Sequence, residues 1–324
     1  MINRHPVISI ITPAYNESRN LPLLYHRIAA ALDGMGVSWE WLVVDDHSSD
    51  GTFEVLSEIC DRDPRIRVLR FARNCGSHLA GVCGLQHAAG DCAVLIAADL
   101  QDPPETIAEL YEKWRQGAQV VWAVRAARHG EKAQTVLFSR LYYWMMRRFV
   151  GIENTAATGA DFFLLDRCVI DALRRFEEQN ISVLSLLLWM GFRQDSITYE
   201  KQARAHGASK WTIEKKLKLV VDSITSFTYK PIRFMSYAGF ITAFLGFCYA
   251  GLIILNAING HPVQGWSSMI VVVLLLGGMQ MLMLGILGEY LWRALDESRR
   301  RPRYLIERTA GEQGVLASMH AEAR

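Results

Sequence analysis

VISIITPAYNE (Val7–Glu17) and WLVVDDHSSDGT (Trp41–Thr52) share one pattern, an apolar run that breaks abruptly into polar residues, and AVLIAADLQDPPE (Ala93–Glu105) repeats it. Short apolar runs bounded by turn residues read as strands, and the stretches between them carry helical spacing. Strands are expected at Val7–Thr12, Trp41–Val44, Ile66–Phe71, Ala93–Ala97 and Val120–Val124. Helices are expected at Ser18–Met35, Gly51–Asp61, Gly76–Ala88 and Pro104–Gln116. Strands alternating with helices of this length make βαβ units around a mainly parallel sheet, an α/β fold. Ligands of such sheets bind beyond the carboxyl ends of the strands. Pro13–Glu17, Asp45–Asp50 and Asp99–Asp102 are therefore expected along one edge.

The 324 residues suffice for one substantial domain and something smaller. A net charge of +2 gives no support to nucleic-acid binding. The six cysteines, Cys60, Cys75, Cys83, Cys92, Cys168 and Cys248, are scattered without a C-x-x-C pair. They are expected as reduced, mostly buried thiols of a cytoplasmic domain. The apolar run after Pro6 is too short for a signal-peptide core, so the N-terminal domain is expected to stay in the cytoplasm.

Hydrophobicity concentrates near the C-terminus. Phe234–Ile258 and Trp266–Gly288 carry no formal charge, and each exceeds the ~20 residues that cross a hydrocarbon core. Asn259–Gly265, with Pro262 and its glycines, suits a tight turn between them. Lys215, Lys216, Lys218, Lys230 and Arg233 precede this hairpin, Arg293 and Arg299–Arg301 follow it, and the turn holds no Lys or Arg. Positive residues stay inside. Both termini and the N-terminal domain are therefore expected on the cytoplasmic face of a membrane. The expected organisation is a cytoplasmic domain at 1–212, a basic juxtamembrane helix at 213–233, transmembrane helices at about 234–258 and 266–288 within 234–292, and a cytoplasmic tail at 293–324. SRLYYWMMRRF (Ser139–Phe149) suits either a core helix or an interfacial one. Gly277, Gly278, Gly285 and Gly288 would let helices approach closely, and a homo-oligomer is one expectation.

The polar strand ends suggest chemistry. A carboxylate after a strand, as at Asp45 and Asp46, suits a ribose or base edge. Asp99, Gln101 and Asp102 put hard oxygens on one loop, as Mg²⁺ or Mn²⁺ beside a diphosphate requires. Taken singly, each acidic pair is equally a solvated loop or helix cap.

PAYNE (Pro13–Glu17), VVDDHSSDGT (Val43–Thr52) and AADLQDPPE (Ala97–Glu105), in that order, resemble family 2 glycosyltransferases of the GT-A fold. TGADFFLLDR (Thr158–Arg167), RAHGASKW (Arg204–Trp211) and GILGEYLWR (Gly285–Arg293) are similar to its polyprenyl-phosphate branch, over about Val7 to Leu305. The resemblance implies a GT-A domain followed by a two-helix transmembrane hairpin. It also implies inverting transfer of a sugar from a nucleotide sugar, a UDP-sugar first, to a polyprenyl phosphate such as undecaprenyl phosphate, by a catalytic domain on the cytoplasmic face of the lipid bilayer of a bacterial inner membrane. Pro13, Tyr15, Glu17, Asp46 and Asp99 would line the nucleotide, and Asp99 with Gln101 would hold Mg²⁺ or Mn²⁺. Asp161, Arg204 and Lys210 would serve the reacting sugar and phosphates, with Arg125, Arg128 and Ser209 adding phosphate contacts. Ala97 departs from the family's Asp at that position, which leaves a degenerate membrane-anchored nucleotide-binding or scaffold protein as the alternative. A processive synthase would carry more spans and a Q-x-x-R-W motif, and a transporter would carry charge within its spans.

Overall fold

The computed structural model of the protein describes residues 5–126, 161–176, 183–202, 230–259 and 265–311. Strands β1 (Ile8–Ala14), β2 (Trp39–Asp45), β3 (Ile66–Phe71), β4 (Cys92–Leu95) and β5 (Val120–Arg125) alternate with helices α1 (Leu21–Met35), α2 (Thr52–Arg62), α3 (Ser77–His87) and α4 (Ile107–Arg115). β6 (Phe163–Asp166), α5 (Arg167–Leu173), α6 (Val183–Trp189) and β7 (Gln194–Tyr199) follow. The long helices α7 (Lys230–Ile258) and α8 (Trp266–Ser298) precede a last strand, β8 (Ile306–Ala310).

The strands form one sheet in the order β7-β5-β6-β4-β1-β2-β3-β8. β1 pairs in parallel with β2 and β4, β2 with β3, and β5 with β7. β6 and β8 run against their neighbours. The sheet is thus mainly parallel, as expected, with β6 wedged antiparallel between β4 and β5. Helices cover both faces, so the strands are apolar on both sides rather than alternating. On one face Leu21, Leu24, Ile28 and Leu32 of α1, Leu56 of α2 and Ile107 and Leu110 of α4 close a core over Ile10, Trp41 and Val43. On the other, Ala80, Cys83 and Leu85 of α3 join Val169 and Ile170 of α5 and Leu186 of α6 over Leu42, Trp122 and Phe163. α3 lies so close to the sheet that a Cβ at Gly84 would collide with Ile11, which makes glycine the residue that fits.

α7 and α8 contain the two apolar stretches, and both are long and apolar enough to cross a membrane. Phe240, Phe244, Phe247, Leu275 and Leu282 are exposed to the surroundings, which no buried core helix would tolerate. Thr242 Oγ1 donates to Met279 Sδ at 3.5 Å, tying the two helices together. α8 runs ten residues past the expected end at Gly288, carrying the Glu289–Arg293 ion pair at 2.9 Å on its last turns. At 33 residues and 1.5 Å per residue it spans about 50 Å, well beyond a ~30 Å hydrocarbon core.

Part of the stretch read as a tail does something else. Ile306–Ala310 pairs with β3 and closes that edge of the sheet. Tyr304 stacks on Phe71 with ring centroids 4.9 Å apart, and its hydroxyl donates to Gln86 at 2.7 Å. Arg308 lies over the Phe53 ring. The cysteines are all free; Cys60, Cys83 and Cys92 are buried, Cys75 is half-buried, and Cys168 and Cys248 are exposed. Burial pushes the Cys60 and Cys83 thiols up to about 12, away from the reactive thiolate form. Ser139–Phe149, expected as either a core or an interfacial helix, and the stretch up to 229, expected as juxtamembrane, lie outside the described residues.

Candidate active site at the carboxyl edge of the sheet

Parallel pairing brings the carboxyl ends of β1, β2, β4, β5 and β7 to one edge. Because β6 runs backwards, Asp161, two residues before it, arrives at that same edge. Pro13–Glu17, Asp45–Asp50, Asp99–Asp102, Arg125 and Asp161 therefore share the edge that topology demanded. Arg128, Arg204, Ser209 and Lys210 lie outside the described residues.

The loops after β1 and β2 are stitched into one wall. Asn16 takes a left-handed backbone, φ 56°, and its amide donates to Ser48 Oγ at 2.8 Å while its side chain accepts from Ser49 N at 2.9 Å. Glu17 N donates to Thr52 Oγ1 at 3.0 Å. Asp50 accepts from Ser18 N and Oγ on one oxygen and from Thr52 on the other. Burial works against the Asp50 charge, but these bonds outweigh it and hold its carboxyl below the usual range. Pro13, Tyr15 and Glu17 stay partly open above this wall.

Asp45 and Asp46 are less available than their position suggests. Asp45 is fully buried, pairs with Arg70 at 2.9 Å and accepts from Ser48 N. Asp46 is 2% exposed, and its oxygens accept from Cys75 N at 2.6 Å and Gly76 N at 2.8 Å. Burial raises its pKa against those two bonds. Its carboxylate fastens the loop before α3 to the end of β2.

The loop after β4 divides its carboxylates by environment. Asp99 is half-buried and accepts from Gln101 N at 3.2 Å. Asp102 is 1% exposed; Tyr199 donates to it, and Lys201 Nζ lies 3.6 Å away. Burial raises its pKa despite both partners. Asp102, expected from the sequence as one of three oxygen donors, is instead an internal anchor. Sequence reading passed over its partners Tyr199 and Lys201; alternation in the β7 stretch was the signal that could have placed them. Among the described residues no group of three or more His, Cys, Asp or Glu side chains is arranged to hold a metal. Asp99 and the Gln101 amide oxygen remain as neighbouring hard donors. Such a pair fits Mg²⁺ or Mn²⁺, which takes one or two carboxylates and completes its shell with phosphate and water.

On the far side Arg125 Nη2 lies 3.8 Å from Asp161, whose side chain is 62% exposed. The exposed carboxylate faces solvent at the edge, with the guanidinium beside it.

Residues 9–174 match the family described as "Glycosyl transferase family 2", and residues 230–293 match "GtrB C-terminal hairpin". The uncharacterized glycosyltransferase YkcC of Bacillus subtilis is 38% identical over 311 residues, covering 96% of each chain. The bactoprenol glucosyl transferase of Shigella phage SfV is 33% identical over 301 residues, 93% of this chain and 98% of that one. Among solved structures, glucosyl-3-phosphoglycerate synthase of Mycobacterium tuberculosis superposes with a TM-score of 0.50 at 14% identity, over 68% of this chain and 80% of its own. At that identity the likeness concerns the fold alone.

Proposed function

This chain belongs to glycosyl transferase family 2, and from that membership we propose that it transfers a sugar from a nucleoside diphosphate sugar to a polyprenyl phosphate. The observation that carries this reading is the near full-length likeness to bactoprenol glucosyl transferases, which extends through the apolar hairpin. A lipid acceptor explains why a nucleotide-sugar fold is joined to membrane helices, since each CH₂ drawn from the bilayer costs about 0.8 kcal/mol. Undecaprenyl phosphate and a UDP-sugar are the acceptor and donor proposed. The domain and both termini lie on the cytoplasmic face, as the Lys and Arg flanking the hairpin favour.

The wall made by Pro13, Tyr15 and Glu17 takes the nucleoside, and Asp46 shapes it by holding the 73–76 loop. A divalent cation at Asp99 and Gln101 would supply positive charge beside the diphosphate. The acceptor phosphate, with a second pKa near about 6, is largely ionised at neutral pH and needs no strong general base. One of its oxygens attacks the anomeric carbon from the face opposite the leaving diphosphate, which inverts the configuration. Asp161, exposed and steadied by Arg125, orients acceptor or sugar rather than removing a proton. Arg204 and Lys210, with Arg125, Arg128 and Ser209 in support, bring opposite charge to two anions that must approach each other.

The test is product formation by the purified full-length protein from undecaprenyl phosphate and a panel of radiolabelled UDP- and GDP-sugars, with and without EDTA. An EDTA-sensitive, organic-extractable glycolipid is expected. Nucleotide binding without glycolipid from any donor would favour the degenerate binding protein that Ala97 leaves open.

A further inference from the structure

The end of β7 is clamped to the loop that carries Asp99 and Gln101. The Tyr199 phenol donates to Asp102 Oδ1, with Lys201 Nζ 3.6 Å from the same oxygen. Two bonds join the loops directly: Gln202 N donates to Gln101 O at 2.8 Å, and Gln101 Nε2 donates to Gln202 O at 3.4 Å. Arg27 closes the clamp from outside, donating to Gln202 Oε1 at 3.0 Å and forking onto Glu105 at 2.7 and 3.1 Å. The loop needs such support, because Leu100 sits at φ 59°, a left-handed backbone disfavoured for a branched side chain.

Tyr199 also faces the other side of the site. It is 7% exposed, and its ring meets Phe162 edge-on at 5.6 Å. Phe162 is the residue next to Asp161. Arg125, its register partner on β5, lies beside the phenol and interacts with it electrostatically, and it reaches Asp161 at 3.8 Å. Arg125 Nε finds no acceptor among the described residues. One buried tyrosine thus stands where three segments meet: its hydroxyl on the loop of Asp99 and Gln101, its backbone beside Arg125 of β5, and its ring on the Asp161–Phe162 entry to β6.

We propose that Tyr199 is a positioning residue for sugar transfer, its hydroxyl holding Asp102 while its side chain stands beside Arg125, so that the diphosphate loop and Asp161 keep a fixed separation. The proposal rests on the functional reading above. Nucleotide binding engages the loop alone, whereas the transition state engages both sides together. Loss of the hydroxyl should therefore appear in kcat and spare donor affinity.

Tyr199→Phe keeps the ring and its packing and deletes only the junction. Misplacing reacting groups by about 1 Å costs about a hundredfold, so kcat should fall by about tenfold to a hundredfold while the Kd for UDP stays within about twofold. Asp102→Asn retains an acceptor for the phenol and should keep more activity than Asp102→Ala. Adding Tyr199→Phe to Asp102→Ala should cost little further, because both remove one junction. Hydrogen–deuterium exchange on the full chain supplies a readout apart from turnover: in Tyr199→Phe, peptides covering 97–103 and 199–202 should exchange faster together. Wild-type kcat, a UDP affinity that falls as far as kcat, or additive variants would each overturn the proposal. A wild type that makes no glycolipid would count against the functional reading instead. The junction is then judged by exchange alone, and unchanged rates at either segment would refute it.

Discussion

Asp46→Ala removes a carboxylate that is 2% exposed and accepts from the backbone N–H groups of Cys75 and Gly76. Each buried donor left without an acceptor costs about 1–3 kcal/mol, so the two together cost about 2–6 kcal/mol. Against this, burial raises the pKa of Asp46, so its ionised form carries a desolvation cost that the deletion relieves. The net expected loss is about 2–4 kcal/mol. Asp46→Asn should recover about half of it, because the amide offers one oxygen and turns its NH₂ toward the second N–H. Urea unfolding of the full-length protein in detergent reads this through Trp39, Trp41 and Trp122, all buried in the catalytic domain. With a slope of about 2 kcal/mol per M, the alanine midpoint should fall by about 1–2 M. Nucleotide affinity should fall alongside as the 73–76 loop loosens. A midpoint within about 0.2 M of wild type, with nucleotide binding lost, would refute the fastening role and mean that the carboxylate meets the nucleotide itself.

Three further outcomes are expected. Ending the chain before Lys230 removes β8 along with the hairpin and bares the β3 edge, so that form should aggregate; deleting the hairpin internally while keeping 303–311 should preserve nucleotide binding and abolish transfer to lipid acceptor, as binding and extraction assays will tell. Asp161→Asn should lower kcat by about tenfold, on the scale of one charged hydrogen bond, and leave the UDP Kd unchanged; near-normal turnover would remove any role for its charge. Asp50, Asp63, Asp166 and Glu105 have lowered carboxyl pKa values through hydrogen bonds that overcome burial or, at Glu105, through Arg27 first. A depressed folded pKa stabilises above the unfolded value and loses that contribution as pH falls through the folded one. These four should accordingly lower the unfolding midpoint as pH falls below about 4, partly offset by Asp46 and Asp102, whose raised values act in the opposite sense.

What the sequence determined by itself was local. The five expected strands and four expected helices fall where β1–β5 and α1–α4 stand, within a few residues at their ends, because apolar periodicity and turn residues act over a handful of neighbours. The carboxyl-edge rule then placed Glu17, Asp46 and Asp99 together from strand order alone. The two apolar stretches likewise declared themselves by length and by the charges flanking them. Tertiary structure decided whatever depends on partners distant in the chain. β8 reads IERTA, too short and polar to announce itself, since an edge strand pairs on one side only and need not alternate. Asp99 and Asp102 look equivalent in Asp-Leu-Gln-Asp, yet only the approach of Tyr199 and Lys201, about a hundred residues away, buries the second and leaves the first near solvent. A carboxylate's role follows from its desolvation and its donors, and both are set by packing between segments rather than by the residues beside it.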